Sequence, residues 1–265
     1  MIGAVSARLR EIARETVECA DRGWYPGPDG TRVPIDVAVA VAGTRLHLPD
    51  DPLPEPVAAP APPVVEVTGE TSLAAAARLG GDVACLVFAS AKNPGGGFRT
   101  GAKAQEESIA RASALYHCQL AAGDFYTHHR THARLIYSDR VIHSPRVPVF
   151  RDDGGAFLPA PYPVSFLTAA APNRVAVGHH APDLLSAVPG VLARRAARVV
   201  AVAAAHGHRR IVLGAWGCGV FGNDPAVVAA AFAPHLGVFE HVVFAVHGRD
   251  VVNRAAFAGL SAPRS

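Results

Sequence analysis

Val5, Leu9, Ile12, Ala13 and Val17 recur at helical spacing among charged residues, and Gly23 ends the pattern, which predicts an amphipathic helix over 3–21. A turn-rich Pro26-Gly27-Pro28-Asp29-Gly30 follows, then an apolar run over 37–48 that reads as a strand. The proline-dense stretch 49–63 cannot sustain a helix or an inner strand and is expected to be extended, placing a boundary near residue 60. Residues 1–60 then form a helix, short strands and a Pro-rich connection, and residues 61–265 a second unit. Beyond that boundary the period alternates. Strands are predicted over 64–67 and 83–89, with helices over 72–79 and 106–121. Strand-like runs over 134–137, 141–143 and 164–169 are separated by a loop carrying Pro145, Pro148, Asp152, Asp153 and Gly154. A long helix over 184–205, a strand over 210–213, a helix over 226–232, a strand over 241–246 and a helix over 251–260 complete the chain. Such alternation predicts an α/β fold, whose ligands bind at the carboxyl ends of the strands.

Composition adds bounds to this picture. A chain of 265 residues that is 50% hydrophobic can bury a sizeable core. Its net charge of +3 accommodates an anionic ligand but does not by itself indicate a nucleic-acid-binding face, so no sequence-specific nucleic-acid binding is expected. Cys19, Cys85, Cys118 and Cys218 are scattered with no CxxC pair, which argues against a zinc knuckle or a disulfide framework and fits a reducing cytoplasm. Acids and bases run through residues 1–22, and no later run approaches the ~20 apolar residues of a membrane span. No export signal or anchor is read, and a cytoplasmic location is expected.

Two glycine loops carry the candidate chemistry. Pro94-Gly95-Gly96-Gly97 is separated by seven residues from Gln105-Glu106-Glu107. Glycines without Cβ atoms can take positive φ and let the backbone approach a ligand closely, while the two glutamates supply a proton donor and acceptor. The second loop, Gly214-Ala215-Trp216-Gly217-Cys218-Gly219-Val220-Phe221-Gly222-Asn223-Asp224-Pro225, follows a predicted strand and enters a helix with Asn223 or Asp224 as N-cap and Pro225 in the first turn. Free N–H groups in such a turn can hold phosphate oxygens. Neither loop is a mononucleotide P-loop, because Ala102 precedes Lys103 and Ala104 stands where a hydroxyl should hold magnesium; neither gives a dinucleotide fingerprint. Glu106 and Glu107 also suit the first turn of a helix, where they complement its dipole. Neighbouring helical positions point about 100° apart, so the two cannot oppose each other across a bond, and their roles should differ.

The run Phe88-Ala89-Ser90-Ala91-Lys92-Asn93-Pro94-Gly95-Gly96-Gly97 with Gln105-Glu106-Glu107 closely resembles the signature of bacterial-type poly(ADP-ribose) glycohydrolases, which are catalytic macrodomains. The resemblance extends from about Val64 to the C-terminus and includes the segment Ser144 to Asp152. It implies a macrodomain-like three-layer α/β/α fold with a central mixed sheet, preceded by an N-terminal extension. It implies that Glu107 is the acid/base and that Glu106 holds ribose hydroxyls. Asn93 would bond the distal ribose and Phe221 pack on it. Gly95, Gly96 and Gly97 would lie along that ribose and the diphosphate, with Gly217, Cys218, Gly219 and Val220 on the other phosphate side. Gln105 joins the substrate-binding set, and Thr71 and Ser72 could lie near the adenine. No metal or organic cofactor is implied, and the partner is ADP-ribose or poly(ADP-ribose) on modified proteins. Arg99 and Lys103 bring extra positive charge into the spacer. A non-catalytic ADP-ribose reader would share both loops without needing the glutamates, and a hydrolase of mono-ADP-ribosylated substrates shares the terminal moiety.

Three histidine groups stand outside this pattern. His128 and His132 lie four apart, but with no acid between them a surface cluster is expected rather than a metal site. His179-His180 carries less still, and His206-Gly207-His208 reads as the end of the long helix.

Overall fold

The structure, a computed structural model, describes residues 2–132, 134–248 and 251–261. Its elements in order are α1 (Ile2–Arg22), β1 (Trp24–Pro26), β2 (Arg32–Pro34), α2 (Val37–Gly43), β3 (Arg45–His47), β4 (Val64–Thr68), α3 (Ser72–Leu79) and β5 (Val83–Phe88). Three helices follow, α4 (Gln105–Ala112), α5 (Leu115–Ala121) and α6 (Asp124–Thr131), then a hairpin of β6 (Val141–Arg151) and β7 (Phe157–Ala169). The chain closes with α7 (Arg174–His180), α8 (Val188–Ala205), β8 (Arg210–Leu213), α9 (Pro225–Phe232), β9 (His241–Ala245) and α10 (Val251–Ala258).

Seven strands form one mixed sheet in the order β3-β6-β7-β5-β8-β9-β4. Strands β7, β5, β8, β9 and β4 run parallel, whereas β6 is antiparallel to both of its neighbours. Leu86, Ile211 and Val242 send their side chains to one face of this sheet, where they pack with Leu192, Val199 and Phe232 of α8 and α9. Cys85, Val87, Val212 and Val243 face the other way, onto Leu73, Ile109 and Leu115 of α3, α4 and α5. Parallel strands with both faces buried read as continuous apolar runs, which is why β5 and β9 stood out in the sequence. The expected three-layer α/β/α arrangement with a central mixed sheet is present.

Several expected elements differ. Only the end of the run 37–48, Arg45–His47, is a strand: Val, Ala and Gly residues before it satisfy either period, and the Asp36 side chain, accepting the Val39 N–H at 3.2 Å, caps a helix over Val37–Gly43. β3 pairs with β6, so residues upstream of 60 contribute the outer strand of the main sheet. The single helix expected over 106–121 breaks at Ser113, which is extended (φ −145°, ψ 173°) and bonds Ile109 O at 2.8 Å. The residues 134–137 form a turn, with Tyr137 at φ +55°, rather than a strand. Pro145 and Pro148 sit inside β6 rather than in a loop: Pro145 falls in a register shift between Ser144 and Val147, and Pro148 is paired with Pro163 of β7. The long helix begins at Val188, preceded by a 3-10 stretch, Pro182–Ala187. Helices α6 and α7 lack a clear apolar stripe and escaped the periodicity reading.

Candidate active site

The parallel strands point their carboxyl ends at the two glycine loops. After β5 the chain turns through Ser90 and Pro94 into the first loop, where Gly95 and Gly96 take φ +66° and +57°. A Cβ on Gly96 would lie 2.4 Å from Glu107 Oε1 and 3.1 Å from Glu106 Oε2. The two carboxylates therefore converge on one bare backbone position, although their Cα–Cβ bonds diverge around the helix. Glycine is required there for space as well as for φ.

The N–H groups of this loop are not turned toward a ligand as the sequence suggested. Gly95 N–H donates to Gln119 Oε1 (2.6 Å), Gly96 N–H to Asn93 O (3.0 Å) and Gly97 N–H to Glu107 Oε1 (3.0 Å). What the triple glycine supplies is closeness, since its backbone carries the carboxylate that a side chain would push away.

Glu106 is buried, and its two oxygens accept from Ser90 N–H (2.6 Å) and Gln119 Nε2 (2.9 Å). Burial pushes its pKa up to about 8, helped by the neighbouring Glu107 charge and opposed by the two N–H donors. Glu107 is half-buried; Gly97 N–H fixes its Oε1, while Oε2 has no hydrogen-bond partner among the described residues. Arg111, one turn further along α4 and itself buried, ties Ala102 O at 2.7 Å and so closes the spacer between loop and glutamates. Gln105 spends its whole amide on the fold, accepting from Phe88 N–H (2.9 Å) and donating to Leu86 O (2.7 Å) and Ser72 Oγ (3.0 Å). It anchors the first turn of α4 to the end of β5. Asn93 is exposed at the tip of the loop.

The second loop is built differently. Gly217, at φ +72°, leaves no room for a Cβ against Asn223 Nδ2 (2.5 Å) and Ala171 (2.6 Å), and Asp224 caps α9 by accepting Ala226 N–H at 2.8 Å. The N–H groups of Gly219, Val220 and Phe221 have no acceptor among the described residues. A run of uncommitted N–H groups is the local arrangement that holds phosphate oxygens. Val220 is 89% exposed, unusual for valine, and Phe221 is half-buried with its ring 6.4 Å from that of Tyr137. Cys218 is half-buried between Gly217 and Gly219.

A cavity of about 800 Å³ runs between these regions. Phe88, Gln105 and Ser108 line it on the first-loop side, Ala215 and Gly219 on the second, and Thr71 and Ser72 at the start of α3. Its lining does not include Glu106, Glu107 or the three glycines of the first loop. Lys103 lines the cavity, whereas Arg99 is an exposed residue of the spacer. Arg8, Leu9 and Ile12 of α1 close another side, so the N-terminal helix is part of the cavity wall.

Sequence reasoning missed Gln119, which is fully buried and bonded to both the first loop and Glu106. The available signal was an amide within the apolar stretch Leu115–Ala121. It also missed that His206 and His208, which do flank the end of α8, meet His47 and His143. His143 Nε2 lies 3.0 Å from His208 Nε2, and His47 Nε2 lies 3.0 Å from His206 Nε2. His128 and His132 stack with ring centroids 4.1 Å apart. Among the described residues no group of three or more His, Cys, Asp or Glu is arranged to hold a metal ion.

Comparison with known proteins accords with this geometry. The family model for the microbial-type PARG catalytic domain matches residues 13–152, just over half of the chain, so the similarity reaches well upstream of Val64. No curated protein matches the sequence. Among solved structures, poly(ADP-ribose) glycohydrolase from Thermomonospora curvata is 51% identical and superposes with a TM-score of 0.89, over 96% of this chain and 99% of that one. The same enzyme bound to the inhibitor ADP-HPD is 49% identical, with a TM-score of 0.87 over the same shares. Poly(ADP-ribose) glycohydrolase from Deinococcus radiodurans in complex with ADP-ribose is 44% identical, with a TM-score of 0.80 over 84% of this chain and 96% of that one. Matched by the family model over more than half of its length, and 44–51% identical to these solved enzymes over 84–96% of its residues, the chain belongs to the microbial-type poly(ADP-ribose) glycohydrolase family.

Proposed function

We propose that this protein hydrolyses the ribose–ribose O-glycosidic bonds of poly(ADP-ribose), releasing ADP-ribose, with Glu107 as acid/base. The observation that carries the reading is the state of Glu107. One carboxylate oxygen is fixed by Gly97 N–H and the other, itself buried, has no hydrogen-bond partner among the described residues, next to the buried Glu106. A single carboxyl held this way can protonate the departing ribose hydroxyl as the C–O bond breaks, leaving an oxocarbenium-like sugar. The resulting carboxylate then accepts a proton from the water that attacks the anomeric carbon, which restores the acid. Glu106 takes the other role, accepting ribose hydroxyls and holding the sugar in register. The uncommitted N–H groups of Gly219, Val220 and Phe221 receive the diphosphate, whose charge stabilises the cation formed beside it. Asn93 and the Phe221 ring complete the distal ribose subsite, and Thr71 and Ser72 bound the region for adenine. No step calls on a metal or an organic cofactor. The chains acted on are those attached to modified proteins, and the protein works in the cytoplasm; no helix of the described residues is long and apolar enough to cross a membrane.

Incubation with labelled poly(ADP-ribose) tests this directly. Wild type should release ADP-ribose, and Glu107→Gln should lower the rate by about 100-fold or more while still binding ADP-ribose in calorimetry. Undiminished release by Glu107→Gln overturns the assignment. Release only from mono-modified substrates would move the activity to a neighbouring class of hydrolase.

A further inference from the structure

The buried amide of Gln119 has no counterpart in the motif that identifies the family, yet it touches both halves of that motif. Its Oε1 accepts Gly95 N–H at 2.6 Å and its Nε2 donates to Glu106 Oε1 at 2.9 Å. A weaker contact of 3.4 Å runs from Nε2 to Thr168 Oγ1 on β7. The side chain is wholly inaccessible to solvent, so neither bond can be replaced by bulk water.

The residue type follows from the geometry. One end must accept a backbone N–H and the other must donate to a carboxylate oxygen, and a planar amide does both without rotation. Asparagine is one methylene shorter. Methionine or leucine would fill the space and strand both partners. Glutamate would accept from Gly95 but would set a second carboxylate against Glu106. The other oxygen of Glu106 also accepts from an N–H, that of Ser90, so both donors favour its ionised form.

We propose that Gln119 is a positioning residue for the hydrolysis: it locks the Glu106 carboxylate to the first glycine loop, and thereby sets the distance between the ribose-holding carboxylate and the backbone that carries Glu107. The inference rests on the roles assigned to Glu106 and Glu107 above. Gln119 does not meet the substrate, and it acts through Glu106.

Three variants of the full chain test it, with folding checked first by thermal melting and near-ultraviolet circular dichroism. Gln119→Met keeps the volume and loses both bonds; kcat/KM for ADP-ribose release should fall about 10- to 100-fold, the scale of leaving buried polar partners without a hydrogen bond. Its acidic limb in the pH profile should move to higher pH, because Glu106 has lost a donor to its charged form. Gln119→Glu is the decisive arm, and it remains so if Gln119→Met fails to fold. Protonated, the new carboxyl can donate to Glu106 and accept from Gly95; ionised, it repels Glu106. Its activity relative to wild type should therefore fall as pH rises from 6 to 9. Wild-type kcat/KM and pH profile in either folded variant overturn the proposal, as does a loss in Gln119→Glu that is the same at every pH. Glu107→Gln serves as the third arm: full activity there removes the underlying reading, whereas an inactive Glu107→Gln beside a fully active Gln119→Met removes only the role of Gln119.

Discussion

At the scale of single residues, the first and second glycine loops use the same amino acid for different reasons, and substitution separates them. Gly96 combines φ +57° with a Cβ site 2.4 Å from Glu107 Oε1. Gly96→Ala meets strain of about 1–2 kcal/mol for a left-handed non-glycine residue and must also displace the carboxylate. Its ADP-ribose release should drop by at least about 10-fold in a steady-state assay. Gly219 has open space around its Cβ position. Gly219→Ala should change the stability by no more than about 0.5 kcal/mol in urea unfolding, so any change in ADP-ribose affinity there reports on the ligand rather than on the fold. Glu106 shows a related division: an acid that looks like a second catalytic group in the sequence is held by two N–H donors in a dry setting, which suits a fixed acceptor.

Helix α4 carries both glutamates, and its position is decided by neighbours from three parts of the chain. Gln105 pins its first turn to β5 and α3, while α1 pins its last turn through Thr16, whose buried hydroxyl donates to Arg111 O at 2.7 Å. The same hydroxyl accepts from Arg151 Nε at 2.9 Å, and Arg151 in turn bonds Glu15 and Gly155 O and lies 3.7 Å over the Phe157 ring. One threonine thus joins α1, α4 and the β6–β7 hairpin. Thr16→Val keeps the shape but leaves a buried carbonyl and a guanidinium N–H without this partner, and should destabilise the protein by about 1–3 kcal/mol, read as a lower urea midpoint. Because Gln105 still anchors the end of α4 nearest the glutamates, kcat for ADP-ribose release at 25 °C should stay within about twofold of wild type.

Across the whole molecule, buried histidines and the buried Glu106 set opposing pH dependences. Burial holds His143 down to about 2 and His129 down to about 4, and it lowers His47, His208 and His235 as well. Below the ordinary value of 6.5 the unfolded chain takes up protons that the folded one refuses, so each of these groups withdraws stability as pH falls from 6.5 toward its folded pKa. Glu106 works in the other direction. Its pKa rises from 4.5 to about 8, so the unfolded chain releases a proton that the folded one keeps, and stability declines as pH rises across that window. Several histidines outweigh one glutamate below pH 6.5, and between 6.5 and 8 the glutamate acts without them. Melting temperature measured by calorimetry should pass through a maximum near pH 6.5 and fall on both sides, most steeply on the acid side. A curve that rises steadily from pH 6.5 to 8 would contradict this account of Glu106.

Much of the site was legible in the residue order, because its signals are local. Three glycines before an acidic helix start, a proline after an N-capping aspartate, and continuous apolar strands each depend on a few neighbouring residues, and the chemistry they predicted agrees with the family to which the chain belongs. Folding decided what those signals do. The partners of Gln119 lie 24 and 13 residues away, the paired histidines come from β3, β6 and the turn after α8, and the Val/Ala run at 37–48 fits two periods until its cap and neighbours choose one. Hydrogen bonds across elements and the burial that shifts a pKa are properties of packing. A sequence determines which groups are present; only the assembled layers determine which of them share a dry space, and with it the different settings of Glu106 and Glu107.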